Sequence, residues 1–243
     1  MNNSRTPSTS EMVYVYTPEF ANWNLGPTHP TKGIRYVHAT KRIGELADGQ
    51  GVAVRTVAPR PATREELALV HGEAYIASVL DSGDCPVSAW SEPRPDLSLL
   101  AQLMAGGTLT ALESLARGET LTAVNLPGAK HHAQRNSAEG FCVFGDLAIA
   151  AELVTQGRVG SWKRVAIFDF DVHHGDGTEA LLLENPNALT YSVHRYGIYP
   201  GTGERSMPEK QAYNFAMNAG DGNAELLAAT DEFCALTAEF GAG

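Results

Sequence analysis

Two hydrophobic periods alternate along the chain. Met12–Tyr16, Val52–Val57, Thr122–Leu126, Val165–Phe168 and Leu189–Val193 are short apolar runs rich in β-branched and aromatic residues, and each predicts a strand. Helical spacing fills the intervals over Ile34–Leu46, Leu97–Arg117, Phe141–Gln156 and Asn223–Phe240. Thr63-Arg64-Glu65-Glu66 has the form of a capping box, and Leu67, Val70, Ala74 and Ala77 continue from it at helical spacing. Asp48-Gly49-Gln50-Gly51 stops the first helix, and Gly118 caps the one before it. Thr17–Lys32 and Asp81–Asp96, rich in Pro and Gly, predict loops. Strands alternating with helices imply a three-layer α-β-α domain with a mainly parallel sheet.

The chemistry concentrates where one strand stops. Val165 to Phe168, with Phe170, is too continuous for a half-exposed strand and reads as buried. Gly175 and Gly177 break it, and Thr178 can cap a helix through Leu183. Asp169, Asp171 and His173 thus fall at its carboxyl end in steps of two, a spacing that points side chains to one side of an extended chain. The crevice beyond parallel strand ends is where open α/β sheets place ligands. A carboxylate and an imidazole so spaced can converge on a divalent ion, zinc being the natural choice. Solvated loop residues or an ion-paired strand end are the plain alternative. The desolvation cost of two aspartates at a buried strand end weighs against it.

A second cluster, Leu126-Pro-Gly-Ala-Lys-His-His-Ala133, follows another strand and precedes Glu139-Gly-Phe-Cys-Val-Phe144. His131 and His132 there are open to reading as ligands, as general bases or as ordinary polar loop residues. The later motif changes the balance, because Asp169 and Asp176 are carboxylates free to accept one Nδ1–H each. That would fix both tautomers and leave Nε2 facing a substrate. A base beside an activated water and a second imidazole to protonate an amine are what amide hydrolysis needs.

Composition narrows the classes. With 243 residues, 43% hydrophobic and 19% charged, the chain suits one large α/β domain over 12–243 behind a polar, disordered tail at 1–11. The formal charge of −10 argues against a nucleic-acid partner and tolerates cationic substrates. No apolar run is expected to span a bilayer, and residues 1–10 lack the apolar segment of a secretory signal. Three scattered cysteines, Cys85, Cys142 and Cys234, suggest no disulfide framework and fit the reducing cytoplasm.

Taken together, Pro127-Gly-Ala-Lys-His-His-Ala with Gly140-Phe-Cys, and Asp169-Phe-Asp-Val-His-His-Gly-Asp-Gly-Thr, resemble the histone deacetylase superfamily, which includes acetoin-utilisation proteins and acetylpolyamine amidohydrolases. Val70-His-Gly-Glu-Ala-Tyr-Ile76, Thr190-Tyr-Ser-Val-His194 and Tyr199-Pro-Gly-Thr-Gly203 extend the likeness. It implies an arginase/deacetylase-like fold and a zinc-dependent amidohydrolase that removes an acetyl group from acetyl-lysine or an acetylpolyamine. By the same likeness Asp171 and His173 are two of three zinc ligands, and His131 and His132 are the catalytic pair, with His132 nearer to the general base. Asp169 and Asp176 are their carboxylate partners. Gly140, Phe141 and Tyr199 line the acyl-lysine channel. Asp169, Asp171, His173 and Ser192, with Val193, match an inner monovalent-cation (K+) site. Cys142 is a packing residue rather than a nucleophile.

Two family features are absent from this chain: a zinc-ligating aspartate in a Gly-Phe-Asp context and an oxyanion-stabilising tyrosine in a Gly-Gly-Tyr context. The resemblance therefore implies a domain incomplete at its C-terminal side, with an apolar slot between its first strands and the Asp169 strand. A short form that dimerises to fill the slot, a homo-oligomer, is the lesser expectation. So is a catalytically inactive protein that only binds acylated ligands. A binuclear arginase-type hydrolase ranks last, for want of its second aspartate-rich motif. Ala129-Lys130 departs from the shorter Pro-Gly-His-His of many members, and Lys130 is expected to face solvent.

Overall fold

A computed structural model describes residues 11–82 and 96–242. The expected tail, and the loop expected over Asp81–Asp96 from residue 83 to 95, lie outside them. Among the described residues six strands form two three-stranded parallel sheets. The first has the order β2-β1-β3, from β1 (Glu11–Val15), β2 (Ala53–Val57) and β3 (Thr122–Val124). The second has the order β4-β5-β6, from β4 (Val165–Asp169), β5 (Ala188–Arg195) and β6 (Ala212–Met217). Among the described residues no strand of one sheet pairs with a strand of the other. The outer edges of β3 and β4 stay unpaired among the described residues.

Alternation along each strand explains the layers. Val13 and Val15 of β1 pack with Ala111 of α4 (Asp96–Ala116), while Tyr14 between them sends its hydroxyl to Thr40 Oγ1 of α1 (Ile34–Gln50) at 2.8 Å. Leu189, Tyr191 and Val193 of β5 face Ala229, Phe233 and Phe240 of α7 (Asn223–Phe240). Thr190 and Ser192 point the other way, toward Thr178 and Glu179 of α6 (Asp176–Leu182). The main core gathers α4, α5 (Asp146–Thr155) and α3 (Glu73–Leu80) around Phe20, Trp23, Leu67 and Phe144. Helix α4 is long and apolar enough for a bilayer, which the sequence reading did not expect of any segment. Its Leu97, Leu100, Met104 and Leu109 are buried in that core.

Several boundaries differ from the sequence expectation. Helix α1 runs on through Asp48 and Gly49 to Gln50, and Gly51 takes the left-handed cap. The stretch after Thr63 is two helices, α2 (Arg64–Leu67) and α3, because His71 turns inward and Gly72 starts the second. Helix α5 begins at Asp146 and not Phe141, since Gly140 and Phe141 both have positive φ. Strand β4 is less buried than its composition suggests. Only Ile167 is fully covered and Phe170 is 69% exposed, because β4 has one neighbour instead of two. The helix after it starts at Asp176, with Gly175 and not Thr178 at the cap.

Candidate active site

The carboxyl end of β4 folds over itself. Asp169 Oδ1 accepts the Asp171 amide at 3.0 Å, and Asp171 Oδ1 accepts the His173 amide at 2.8 Å. These successive two-residue side-chain turns replace the extended alternation expected of residues 169–173. They still bring Asp171 Oδ1 within 2.9 Å of His173 Nδ1.

The histidine loop arrives from β3. His131 donates Nδ1–H to Asp169 Oδ2 at 2.7 Å, and His132 donates Nδ1–H to Asp176 Oδ1 at 2.6 Å. Both imidazoles are buried, their centroids 4.0 Å apart. Each is left with Nε2 free of its carboxylate, and that of His131 lies 3.9 Å from Asp171 Oδ1. Burial alone would lower the pKa of His131, but the Asp169 hydrogen bond and the charges of Asp169, Asp171 and Asp176 outweigh it and raise it. Burial in turn works to raise Asp169, and the bond to His131 prevails and lowers it. The Thr178 amide donates to the His131 carbonyl at 3.0 Å and locks α6 against this loop.

Tyr199, 48% exposed, stands edge-on to His132 at 5.0 Å and to His173 at 6.0 Å. Phe141 meets His29 edge-on at 4.4 Å. Gly140 does more than line a passage: a Cβ there would fall 2.2 Å from His132 Cδ2, and its φ of +51° also favours glycine. Ser192 Oγ accepts the Gly175 amide at 3.3 Å and pairs with His194 Nδ1 at 3.1 Å. Asp169 and Ser192, in register across β4 and β5, border a cavity of about 10 Å³, the size of one water. Cys142 is buried, which pushes its thiol up to about 11 and leaves it unreactive.

Three residues carry the site without having stood out in the sequence. Asp146, fully buried, accepts the Ala129 amide at 2.9 Å, the Lys130 amide at 2.7 Å and the Thr108 hydroxyl at 2.5 Å. It thereby holds the left-handed turn at Ala129 that aims the histidines. Gln134 donates Nε2–H to Asp176 Oδ2 at 2.8 Å and steadies the partner of His132. His71 spans Gln134 O and the Gly145 amide, each at 3.0 Å. A Gly-Asp pair at a helix start was the available signal for Asp146. Lys130 does not face solvent as expected: it is half-buried, its ammonium 5.6 Å from the Trp23 ring centroid.

Residues 29–241 match the family model described as the histone deacetylase domain. The chain belongs to the histone deacetylase family. It is similar to acetoin utilization protein AcuC of Bacillus subtilis, at 32% identity over 225 residues, 86% of this chain and 56% of that protein. AcuC of Staphylococcus aureus is 29% identical over 80% of this chain and 52% of its own length. Histone deacetylase clr6 of Schizosaccharomyces pombe is 30% identical over 79% and 49% respectively. The chain thus spans about half the length of these relatives.

Family membership implies a metal, and the donor set can be judged on its geometry. Asp171 Oδ1 and His173 Nδ1 are in hydrogen-bond contact at 2.9 Å, so the two donors lie side by side, and both side chains are partly exposed. Among the described residues no group of three or more His, Cys, Asp or Glu side chains could hold a metal. The residues present fit half of a zinc site.

Proposed function

We propose that this protein is a zinc-dependent amidohydrolase that removes an acetyl group from an N-acetylated amine, either acetyl-lysine or an acetylpolyamine. The observation that carries the reading is the pair of buried His–Asp couples opening onto Asp171 and His173. Asp171 and His173 would hold the zinc together with a donor from outside the described set. Bound there, zinc supplies Lewis acidity toward an amide carbonyl. Asp176 keeps His132 in the Nδ1–H form, so its Nε2 takes a proton from the attacking water as the new C–O bond forms. Asp169 does the same for His131 and favours its charged form, which suits it to protonate the amine as the C–N bond breaks. Tyr199 and Phe141 would flank the methylene stem of the substrate, and K+ near Asp169 and Ser192 is a further part of the proposal. The free buried Cys142 supports a reducing, cytoplasmic setting.

The incomplete donor set favours a second reading, a binder of acylated ligands without turnover. Zinc-loaded protein should release acetate from an acetyl-lysine peptide or an acetylated polyamine, and His132→Ala or a chelator should abolish it. Folded, zinc-loaded protein that releases none, yet binds acetyl-lysine equally without zinc, would decide for the binder.

A further inference from the structure

A second pair of imidazoles lies behind the site, with no part in the reaction just described. His174 and His194 are 2% and 3% exposed, their ring centroids 4.8 Å apart. His194 Nε2 meets the Gly203 carbonyl at 3.0 Å and must carry the proton, so its Nδ1 accepts from the Ser192 hydroxyl. His174 Nδ1 meets Thr202 Oγ1 at 2.8 Å, and its Nε2 lies 3.4 Å from Glu179 Oε2. His174 Nε2 makes no hydrogen bond among the described residues, and the ring is held through Nδ1, which shares one hydrogen bond with the Thr202 hydroxyl. Glu179 is itself held by Asn214 Nδ2 at 2.7 Å.

The two imidazoles grip adjacent residues, His174 holding Thr202 and His194 holding Gly203. The backbone there runs directly against the rings. Gly203 has a φ of +81°, and a Cβ on it would stand 2.6 Å from both His174 Cγ and His194 Nε2. Around this grip the chain is open to solvent, with Gly201, Thr202, Glu204 and Arg205 all exposed. Exposed loop backbone with few buried contacts opens easily unless something buried holds it. Tyr199, three residues before Thr202, reaches His132 and His173 from this loop.

We propose that His174 and His194 are positioning residues: a buried tether, His174–Thr202 with His194–Gly203, that fixes the loop between β5 and β6 and so sets Tyr199 against His132. The tether stands on its own contacts. What it does for substrate rests on the deacylase reading. On that reading a released loop loosens one side of the acyl-stem channel without touching the histidine pair. Substrate binding suffers and the chemical step does not.

Thr202→Val deletes the hydroxyl while keeping the side-chain shape, and Thr202→Ser restores it. In the full chain, Thr202→Val should speed amide hydrogen exchange over residues 201–205 by about tenfold, with Thr202→Ser close to wild type. In turnover of an acetylated substrate, the valine variant should raise KM by about tenfold and leave kcat within about twofold. Exchange unchanged in Thr202→Val, or equally fast in Thr202→Ser, overturns the tether. A fall in kcat at constant KM overturns its link to Tyr199. A wild type without turnover strikes at the deacylase reading alone, because the exchange comparison decides the tether without catalysis.

Discussion

Acid should loosen this fold through His71, well above the pH at which carboxylates titrate. The ring is 2% exposed, donates Nδ1–H to Gln134 O and accepts the Gly145 amide on Nε2, so a second proton has no acceptor to meet. Burial lowers its pKa from 6.5 to about 4. The unfolded chain therefore takes up the proton first, and the stability present above pH 6.5 drains away as the pH falls toward 4. At about 1.36 kcal/mol per pH unit, the loss is about 2 kcal/mol at pH 5 and about 3.4 kcal/mol below pH 4. We predict that urea unfolding, followed by the emission of buried Trp23, shows this difference between pH 7.5 and pH 5 in wild type. His71→Gln, which cannot titrate, should lose about 2 kcal/mol less than wild type over the same interval. Other titrating groups act in both proteins and cancel in the comparison. Equal losses in wild type and variant would refute the reasoning.

Further expectations follow from the same packing. Gly140→Ala puts a methyl into the space of the His132 ring, so turnover should fall by about 100-fold while the circular dichroism spectrum stays native. Asp146→Asn replaces an acceptor of three hydrogen bonds by a half-donor in a fully buried place; thermal melting should report a loss of about 2–4 kcal/mol. Thr63→Ala removes the capping box at α2, in which Thr63 Oγ1 accepts the Glu66 amide and Glu66 the Thr63 amide, for a loss of about 1 kcal/mol in urea unfolding. Asp171→Asn should weaken zinc binding measured by competition with a chromogenic chelator, and no change would remove Asp171 from the ligand set.

Strands β1 and β5 and helix α7 were legible because an apolar run or a long amphipathic stretch marks each, although β5 runs two residues past Val193 to Arg195. The His–Asp couples were legible for a different reason: residue chemistry allowed few ways to satisfy two imidazoles beside two spare carboxylates. Strand β6, Ala212–Met217, was missed, because Asn214 interrupts its alternation and only pairing with β5 makes it a strand. The break between α2 and α3 escaped notice because apolar spacing continues straight across it. What ends α2 is His71 turning toward Gln134, a residue 63 positions away. Asp146 fell inside the helix expected from Phe141, and its role exists only once the Ala129 turn has folded onto it.

The free sides of β3 and β4 also govern how the molecule behaves at high concentration. Among the described residues neither has a strand partner on its outer side, and Leu121, Phe170 and Val172 are exposed nearby. Such edges stick readily to their own copies. A melting point or a rate that drifts on dilution would then be reporting self-association, whichever side chain had been changed.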